Sequence, residues 1–496
     1  MKERIDHIQL RERISSAEEA AIFIKSGMMV AMGGYTSSGY PKVIAEELVK
    51  RKMAGEDLKI TLLGGSAIGP IENLLGSANI ISRQIPMIES KTMSQLVNQG
   101  KVHYVEQQMN KMPRLLRGGA FGKVDVAIIE AIAITKEGHV IPTSSVGMTP
   151  HLVDMAETVI VEINLAQPAE LEGFHDIYLP ELPPKRKPIP LYYVNQRIGK
   201  PFLQVNPEKI RYIVESNKLD ETTKLVDSTA VTQRITDNLL NFLELEVKNR
   251  WDGNLPPVQT GFGNLASNIV RTFQNANFHE ISFFCGCLQE ANLELIITGK
   301  VKAASTGSIQ MTPRVLDIIR SYPDELKRIM VVRNTDVTNN AETIGRMGII
   351  ALNSAIEADI YGNVNSSHIA GTKVVKGIGG GANFAQNASL SVLLIPSETK
   401  DGAISTIVPM VSHHDINEHD IDVMITDQGI ADLRGKDDVE RANCIIHNCA
   451  SPKYRDMLDN YLKRAIGQVG GHHPQLLDEA FSWHLRLIKT GTMQEN

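Results

Sequence analysis

The chain has 496 residues, of which 42% are hydrophobic and 22% charged, and its formal net charge is −6. This length predicts more than one globular domain, and the mild negative charge argues against nucleic acid and anionic membranes as partners. The four cysteines are too few for a disulfide framework, and the charged N-terminus is not a secretory signal, so we expect a cytoplasmic protein without membrane spans.

Short β-branched runs followed by Gly-rich turns and helical patterns recur along the chain. The predicted strands are 27–34, 58–63, 124–131, 158–163, 210–214 and 281–288, and the predicted helices include 44–51 and 228–249. Strands that alternate with helices predict an α/β fold with mostly parallel sheets, here two open α/β/α domains. Ligands of such sheets bind at the loops that leave the carboxyl ends of the strands.

A change of composition marks the middle of the chain. Leu182–Pro190 is rich in proline and lysine, which predicts an extended arm. A helical pattern follows, and then a second series of strand-turn-helix units. We therefore predict an N-terminal domain of residues 1–225 and a C-terminal domain of residues 226–496.

Two glycine-containing loops follow predicted strands. In Gly33–Lys42 the glycines allow close backbone approach to a ligand, although the pattern favours a plain strand-to-helix turn. Gln259–Ala266 resembles part of a dinucleotide fingerprint but lacks its third glycine and its acid. This second loop predicts a helix N-terminus offered to a phosphate or a pantetheine chain.

Three polar segments lie further along the chain. Gly377–Phe384 has four glycines in its first five positions, a pattern that favours backbone donors arranged as an oxyanion hole. Asp359–His368 either shapes a pocket or forms hydrogen bonds only with the backbone of its own turn. Ser412–Asp420 collects His, Asp and Glu side chains, yet the pattern favours a polar loop over a metal site, and we predict no metal.

Longer strings carry a resemblance to a known family. They include SAEEAAIFIKSG, GGYTSSGYPK, DVAIIEAIAIT, NSAIEADIYGNVNSSH, AISTIVPMVSHHDINEHDIDVMITDQGIADLRG and HHPQLLDEAFSWH. Over nearly the whole chain the sequence resembles the acetyl-CoA hydrolase/transferase family of class I CoA-transferases, and within it the succinate or propionate CoA-transferases. The resemblance implies a homodimer of two-domain chains with the active site between the domains. It also implies coenzyme A and acyl-CoA as substrates, a small carboxylate as acceptor, and no permanently bound cofactor.

The resemblance also implies roles for individual residues. Asn339 corresponds to an asparagine near the thioester oxygen, and Gly380 to a glycine of the oxyanion loop. The residues that correspond to CoA contacts are Gly261, Phe262, Gly263, Asn264, Leu265, Gly379 and Lys400.

The sequence departs from the family where the family keeps its nucleophile. The family's catalytic glutamate, which attacks the thioester and becomes a glutamyl-CoA intermediate, corresponds here to Gly286. Glu290 lies four residues on, about 13 Å along a strand, so we expect it to be out of reach. Cys285 and Cys287 are thiol alternatives, although small core residues are the plainer interpretation.

The glycine-rich loop departs as well, because Ala382 would be strained if its position required a positive φ. Three hypotheses follow from the two departures. The protein is a CoA-transferase with a recruited nucleophile, a thioester hydrolase, or a CoA-binding protein that lacks catalysis. The family favours an enzyme that acts on acyl-CoA.

Overall fold

The computed structural model describes residues 1–222, 226, 228–251 and 253–495. The chain divides into two compact units, Met1–Lys224 with Ile281–Met347, and Leu225–Glu280 with Gly348–Asn496. The predicted boundary at residue 225 lies outside the described residues. The second unit differs from the predicted domain 226–496, because Ile281–Met347 belongs to the first unit.

The strands are short and spread along the whole chain. They are β1 (Met29–Met32), β2 (Ile60–Gly64), β3 (Ile81–Ile85), β4 (His103–Tyr104), β5 (Val124–Ile134), β6 (Val140–Pro142), β7 (Ala156–Asn164), β8 (Ile210–Ser216), β9 (Val258–Thr260), β10 (Ile281–Leu288), β11 (Val301–Ile309), β12 (Met330–Val332), β13 (Ile350–Ser354), β14 (Glu357–Asp359), β15 (Val364–Asn365), β16 (His368–Ile369), β17 (Lys373–Val374), β18 (Leu390–Leu394), β19 (Glu398–Thr399), β20 (Ile404–Ser405), β21 (Ile407–Val408), β22 (Val423–Ile425) and β23 (Ile430–Asp432).

Helices connect these strands. They are α1 (Ala17–Ile22), α2 (Val43–Met53), α3 (Gly69–Ser77), α4 (Lys91–Asn98), α5 (Met112–Arg117), α6 (Thr149–Met155), α7 (Ala230–Arg250), α8 (Asn264–Thr272), α9 (Glu290–Ile297), α10 (Pro313–Ser321), α11 (Pro323–Ile329), α12 (Thr335–Thr338), α13 (Ala341–Arg346), α14 (Gly381–Asn387), α15 (Asp438–Cys449), α16 (Pro452–Gln468) and α17 (Ser482–Thr490). Segment 182–190 contains neither helix nor strand, as its composition predicted.

The first unit contains a sheet with the strand order β4-β3-β2-β1-β5-β7-β8. Its strands pair in parallel, and β6 adds an antiparallel pair to β5. The central strand β5 is buried along most of its length, as a continuous apolar run predicts for a sheet covered on both faces. A second parallel set, β10-β11-β12, lies in the same unit.

Backbone hydrogen bonds explain why Ile281–Met347 joins the N-terminal part of the chain. Val146 N–H donates to the Gly307 carbonyl at 3.0 Å, and Val332 N–H donates to the Phe174 carbonyl at 2.9 Å. These contacts join segments that are far apart in the sequence.

In the second unit, β9, β13, β18 and β22 pair in parallel and β23 is antiparallel at the end. Long helix α7 begins at a capping box between Thr229 and Thr232. Its apolar residues include buried Leu239 and Leu243, one turn apart, as an amphipathic helix requires. The predicted α/β fold with mostly parallel sheets is confirmed. Among the described helices, none combines the length and apolar character needed to cross a bilayer.

Candidate active site

Gly286 lies inside β10, which is a strand as predicted. Cys285 and Cys287 are buried on either side of it in the chain. Because successive residues of a strand point to opposite faces, the two thiols lie on the face opposite to Gly286. Glycine therefore leaves one position of this strand without a side chain.

Tyr35 lies in front of that position. A β-carbon built on Gly286 would lie 3.5 Å from the Tyr35 hydroxyl oxygen and 3.6 Å from its Cε1. Apart from the chain neighbours of Gly286, no other described residue comes within 4 Å of that point. Tyr35 is 5% exposed, so its ring is part of the packed interior.

The Tyr35 hydroxyl joins Gly286 to the predicted residue Asn339. It donates a hydrogen bond to Asn339 Oδ1 at 3.4 Å, and Thr338 Oγ1 donates to the same oxygen at 2.8 Å. Burial raises the pKa of Tyr35 well above its usual value, so the phenol is protonated at neutral pH. The structure thus brings Gly286 and Asn339 together around a neutral hydroxyl that we did not predict from the sequence.

The loop that carries Tyr35 has an unusual backbone. Thr36 and Ser37 have φ angles of 51° and 55°, which cost non-glycine residues free energy. Buried Lys42 fixes the far end of the loop, with its ammonium 2.6 Å from Glu130 and 2.8 Å from Asp220. Burial opposes the charge on Lys42, but the two carboxylates outweigh burial and raise its pKa. Such over-determined strain favours a positioned loop over a plain turn.

The predicted substitutes for the missing nucleophile are engaged elsewhere. Glu290 is the first residue of α9, and its carboxylate accepts a hydrogen bond from the Thr312 hydroxyl. Burial raises the pKa of Cys287 to about 12, so its thiol is protonated. Cys285 is fully buried. The two thiols are thus buried, and the Glu290 carboxylate is held by Thr312.

Glu89 is a carboxylate that the sequence analysis missed. It follows β3, and its Oε2 accepts a hydrogen bond from Ser37 Oγ at 2.9 Å. Its negative charge is one of the smaller influences that raise the pKa of Cys287, after the dominant effect of burial. The only sequence signal is its place after a parallel strand, where ligand-binding loops gather.

In the second unit, the predicted CoA loop joins β9 to α8. Gly261 N–H donates to the Leu352 carbonyl at 3.0 Å, and Gly263 has a φ of 115° just before the helix begins at Asn264. A side chain at Gly263 would be strained by that φ, although a β-carbon there would meet no described atom within 4 Å. Phe262 is 37% exposed, and Leu265 is half-buried.

The second glycine loop caps α14. Gly379 has a φ of 68°, and Gly380 is the N-cap of the helix. Ala382 lies inside the helix, so the strain considered for it does not arise. Asn383 is 1% exposed. Neither its side-chain nitrogen Nδ2 nor its side-chain oxygen Oδ1 has a hydrogen-bond partner among the described residues.

Lys400, the last predicted CoA contact, is exposed and has a φ of 50°. Its ammonium forms no ion pair with any residue in the described ranges. The charge is therefore available to a phosphate.

The two remaining polar segments form hydrogen bonds within the protein. Asp359 Oδ1 accepts N–H bonds from Tyr361 at 3.1 Å and from Gly362 and Asn363 at 3.0 Å. Among the described residues, Glu418, Asp438 and His473 each place one potential ligand atom within 4.8 Å of the others. His473 Nδ1 and Asp438 Oδ2 form a hydrogen bond of 2.7 Å.

Comparisons with known proteins show the family of this chain. Residues 1–222 match the acetyl-CoA hydrolase/transferase N-terminal domain, and residues 315–462 match the C-terminal domain. A succinyl-CoA:acetate CoA-transferase from Clostridium kluyveri is 42% identical over 99% of this chain and 92% of its own. An acetyl-CoA hydrolase from Candida glabrata is 36% identical over 100% of this chain and 97% of its own.

A solved structure shares the fold at low identity. RipA from Yersinia pestis has a TM-score of 0.72 at 18% identity, over 92% of this chain and 97% of its own. Both family domains match this chain, and the two relatives align with it from end to end. These matches assign the chain to one family. The chain belongs to the acetyl-CoA hydrolase/transferase family.

Proposed function

We propose that the protein is an enzyme that processes CoA thioesters of small carboxylic acids such as acetate, propionate and succinate. Its relatives include an enzyme named for CoA transfer and one named for acetyl-CoA hydrolysis. Within this pair of activities we propose hydrolysis, in which the acyl group passes to water. The observation that carries this choice is Gly286, which has no carboxylate to offer.

Transfer through a covalent intermediate needs a nucleophilic side chain of the enzyme. Hydrolysis by direct attack of water does not. A carboxylate attacks the acyl carbon, CoA thiolate leaves, and the thiolate then attacks the resulting anhydride to give an enzyme-CoA thioester. Gly286 cannot begin this sequence. Glu290 is bonded to Thr312, and the Cys287 thiol is protonated. Water can add directly to an acyl carbon whose oxygen is held by hydrogen-bond donors.

The second unit supplies the groups that we propose for CoA binding. The N-terminus of α8 after Gly263 offers backbone N–H groups to a phosphate, and exposed Lys400 offers a positive charge. Gly379 and Gly380 carry backbone donors at the start of α14, which suit an acyl oxygen or the pantetheine chain. We propose no metal and no permanently bound cofactor.

A second candidate, a CoA-binding protein without turnover, is also favoured by Gly286. Both candidates predict that CoA raises the melting temperature, by an amount that grows with its concentration. Only the hydrolase predicts thiol release from acetyl-, propionyl- or succinyl-CoA without an acceptor acid. Lys400→Ala is expected to weaken the thermal shift, and Lys489→Ala, in the last helix, serves as its surface control. Stabilisation without thiol release would favour the binding protein, and neither effect would contradict both candidates.

We further propose a cytoplasmic homodimer without nucleic-acid or membrane partners. Support comes from the reduced cysteines, since none of the four forms a disulfide in the described chain, and from the family resemblance. Light scattering on the purified protein tests the dimer, for which a monomeric mass of 54.6 kDa would be the contrary result.

A further inference from the structure

We propose that two copies of the protein associate through α17, whose exposed apolar face packs antiparallel against the same face of a second copy. The surface is a C-terminal stripe, which we define as the side chains of Leu477, Phe481, Leu485 and Ile488. The inference rests on the homodimer proposed above and names the surface through which it forms. All four residues belong to the second unit.

The C-terminal stripe concentrates apolar surface that is spread thinly over the rest of the chain. Among the described residues, eighteen large hydrophobic side chains are exposed, and four of them stand between residues 477 and 488. Leu477 is 77% exposed, Ile488 64% and Leu485 54%. Single exposed apolar residues are normal on a protein surface, whereas a contiguous group marks an interaction site.

Helix α17 turns three of these side chains to one side. Leu485 follows Phe481 by four residues, and Ile488 follows Leu485 by three, which is the spacing of a single helix face. On the opposite face, Trp483 is buried, and its ring centroid lies 5.3 Å from that of Tyr454. The inner face thus anchors the helix, and the outer face stays exposed.

The stripe continues into the chain that precedes α17. This segment is already coiled, because Ala480 N–H donates to the Leu476 carbonyl at 2.8 Å and Leu485 N–H donates to the Phe481 carbonyl at 3.0 Å. Leu477 therefore stands one turn before Phe481 and lengthens the same apolar side.

The charges at the two ends of the stripe favour a second copy as its occupant. Asp478 stands at the beginning of the stripe and Lys489 in the last turn of α17. Both are exposed, and neither forms an ion pair with another described residue. Their neighbour Glu479 is instead paired with Arg464, at 2.5 Å. The stripe therefore has an acid at one end and a base at the other, and both are available to a partner.

Such a stripe is complementary to itself when two copies run antiparallel. Asp478 and Lys489 stand at similar distances from the middle of the stripe, near residue 484. A two-fold axis at that point places Asp478 opposite Lys489 of the partner subunit, twice in the dimer, with the apolar side chains facing each other between the two pairs. This isologous contact uses the same patch on both copies and closes after two.

Charge reversal tests the antiparallel pairing. Asp478→Lys, Lys489→Asp and the double variant are compared with wild type by sedimentation velocity over a range of protein concentrations at low salt. We expect each single variant to raise the Kd of the dimer at least fivefold, because like charges then meet at both ends. The double variant restores opposite charges and should return to within twofold of wild type. A double variant as weak as the single variants would overturn the pairing.

A charge inside the stripe tests the apolar surface. Leu485→Glu should be a monomer of 54.6 kDa at concentrations where wild type is a dimer. Leu245→Glu, at an exposed leucine of α7 in the same unit, is the matched control and should stay dimeric. A dimeric Leu485→Glu would overturn the surface and leave the stripe to a partner of another kind, and a monomeric Leu245→Glu would overturn its specificity.

The outcome for wild type separates this inference from the catalytic proposal. A monomeric wild type would contradict the homodimer and this surface together. Thiol release from acetyl-CoA, measured on the same samples, reports on the hydrolase function independently of the oligomeric state.

Discussion

The hydroxyl of Tyr35 lies 3.5 Å from the point where a β-carbon of residue 286 would stand. A loop after β1 and a position in β10 are therefore coupled through direct packing. That β-carbon would lie in ordinary van der Waals contact with the phenol.

Alanine substitutions at two glycines around Tyr35 are expected to change the free energy of unfolding by very different amounts. Gly286→Ala adds a carbon at ordinary contact distance and restricts the unfolded chain, so the free energy of unfolding should change by less than about 1 kcal/mol. Gly307→Ala places its carbon 2.9 Å from the Gly286 carbonyl oxygen and should cost about 1–3 kcal/mol. Urea unfolding of both variants measures the difference. Equal stabilities would contradict the packing described for Tyr35.

The thiols of the native protein are expected to resist alkylation. Burial raises the pKa of Cys287 and of Cys449 to about 12, and Cys285 is fully buried, so little thiolate is present at pH 8. Iodoacetamide followed by peptide mapping should modify at most Cys444, which is partly exposed. Unfolded protein, in which all four thiols react, is the control. Rapid labelling of Cys287 would instead revive a cysteine nucleophile.

The buried carboxyl of Asp359 predicts a pH-dependent stability. Burial raises its pKa from 3.8 to about 6. Because the folded state binds this proton more tightly than the unfolded state does, the carboxyl lowers the free energy of unfolding as the pH rises from about 4 through 6. Asp359→Asn should therefore gain up to about 3 kcal/mol relative to wild type between pH 4 and pH 7.

Paired urea titrations across this range measure that gain. The amide keeps an oxygen for the three N–H groups of the turn, so the variant should fold. A stability difference that does not change with pH would show that Asp359 does not titrate in this window.

Lys42 is expected to be essential for stability. Lys42→Met leaves the buried carboxylates of Glu130 and Asp220 without their cation, which should cost about 3–5 kcal/mol. Lys50→Met removes an exposed pair with Glu47 and should cost less than about 1 kcal/mol. Chemical denaturation compares the two. A small effect at Lys42 would mean that its partners are readily neutralised by protons.

Much of the fold could be predicted from sequence, because its signals are local. The apolar runs around Val124–Ile134 and Ile281–Leu288 predicted strands, and the pattern after Ser228 predicted α7. The position of Ile281–Met347 in the first unit could not be predicted, because it depends on hydrogen bonds between segments far apart in the chain.

Some residues of the candidate site could likewise be predicted from the sequence, and others could not. Gly286 and Asn339 were found through the family resemblance, and the structure places both beside one hydroxyl. Tyr35 itself carried no signal, since a tyrosine in a glycine-rich loop is ordinary until its distance to Gly286 is known. Glu89 was missed for the same reason, because only folding brings it to Ser37.

The fate of CoA distinguishes hydrolysis from transfer, because only hydrolysis passes the acyl group to water. Wild-type protein is given acetyl-CoA with saturating succinate, and free CoA and succinyl-CoA are both quantified. We expect free CoA at a rate that succinate does not alter, with negligible succinyl-CoA. Stoichiometric succinyl-CoA would contradict this expectation and would make Glu89 the first carboxylate to replace, as Glu89→Gln.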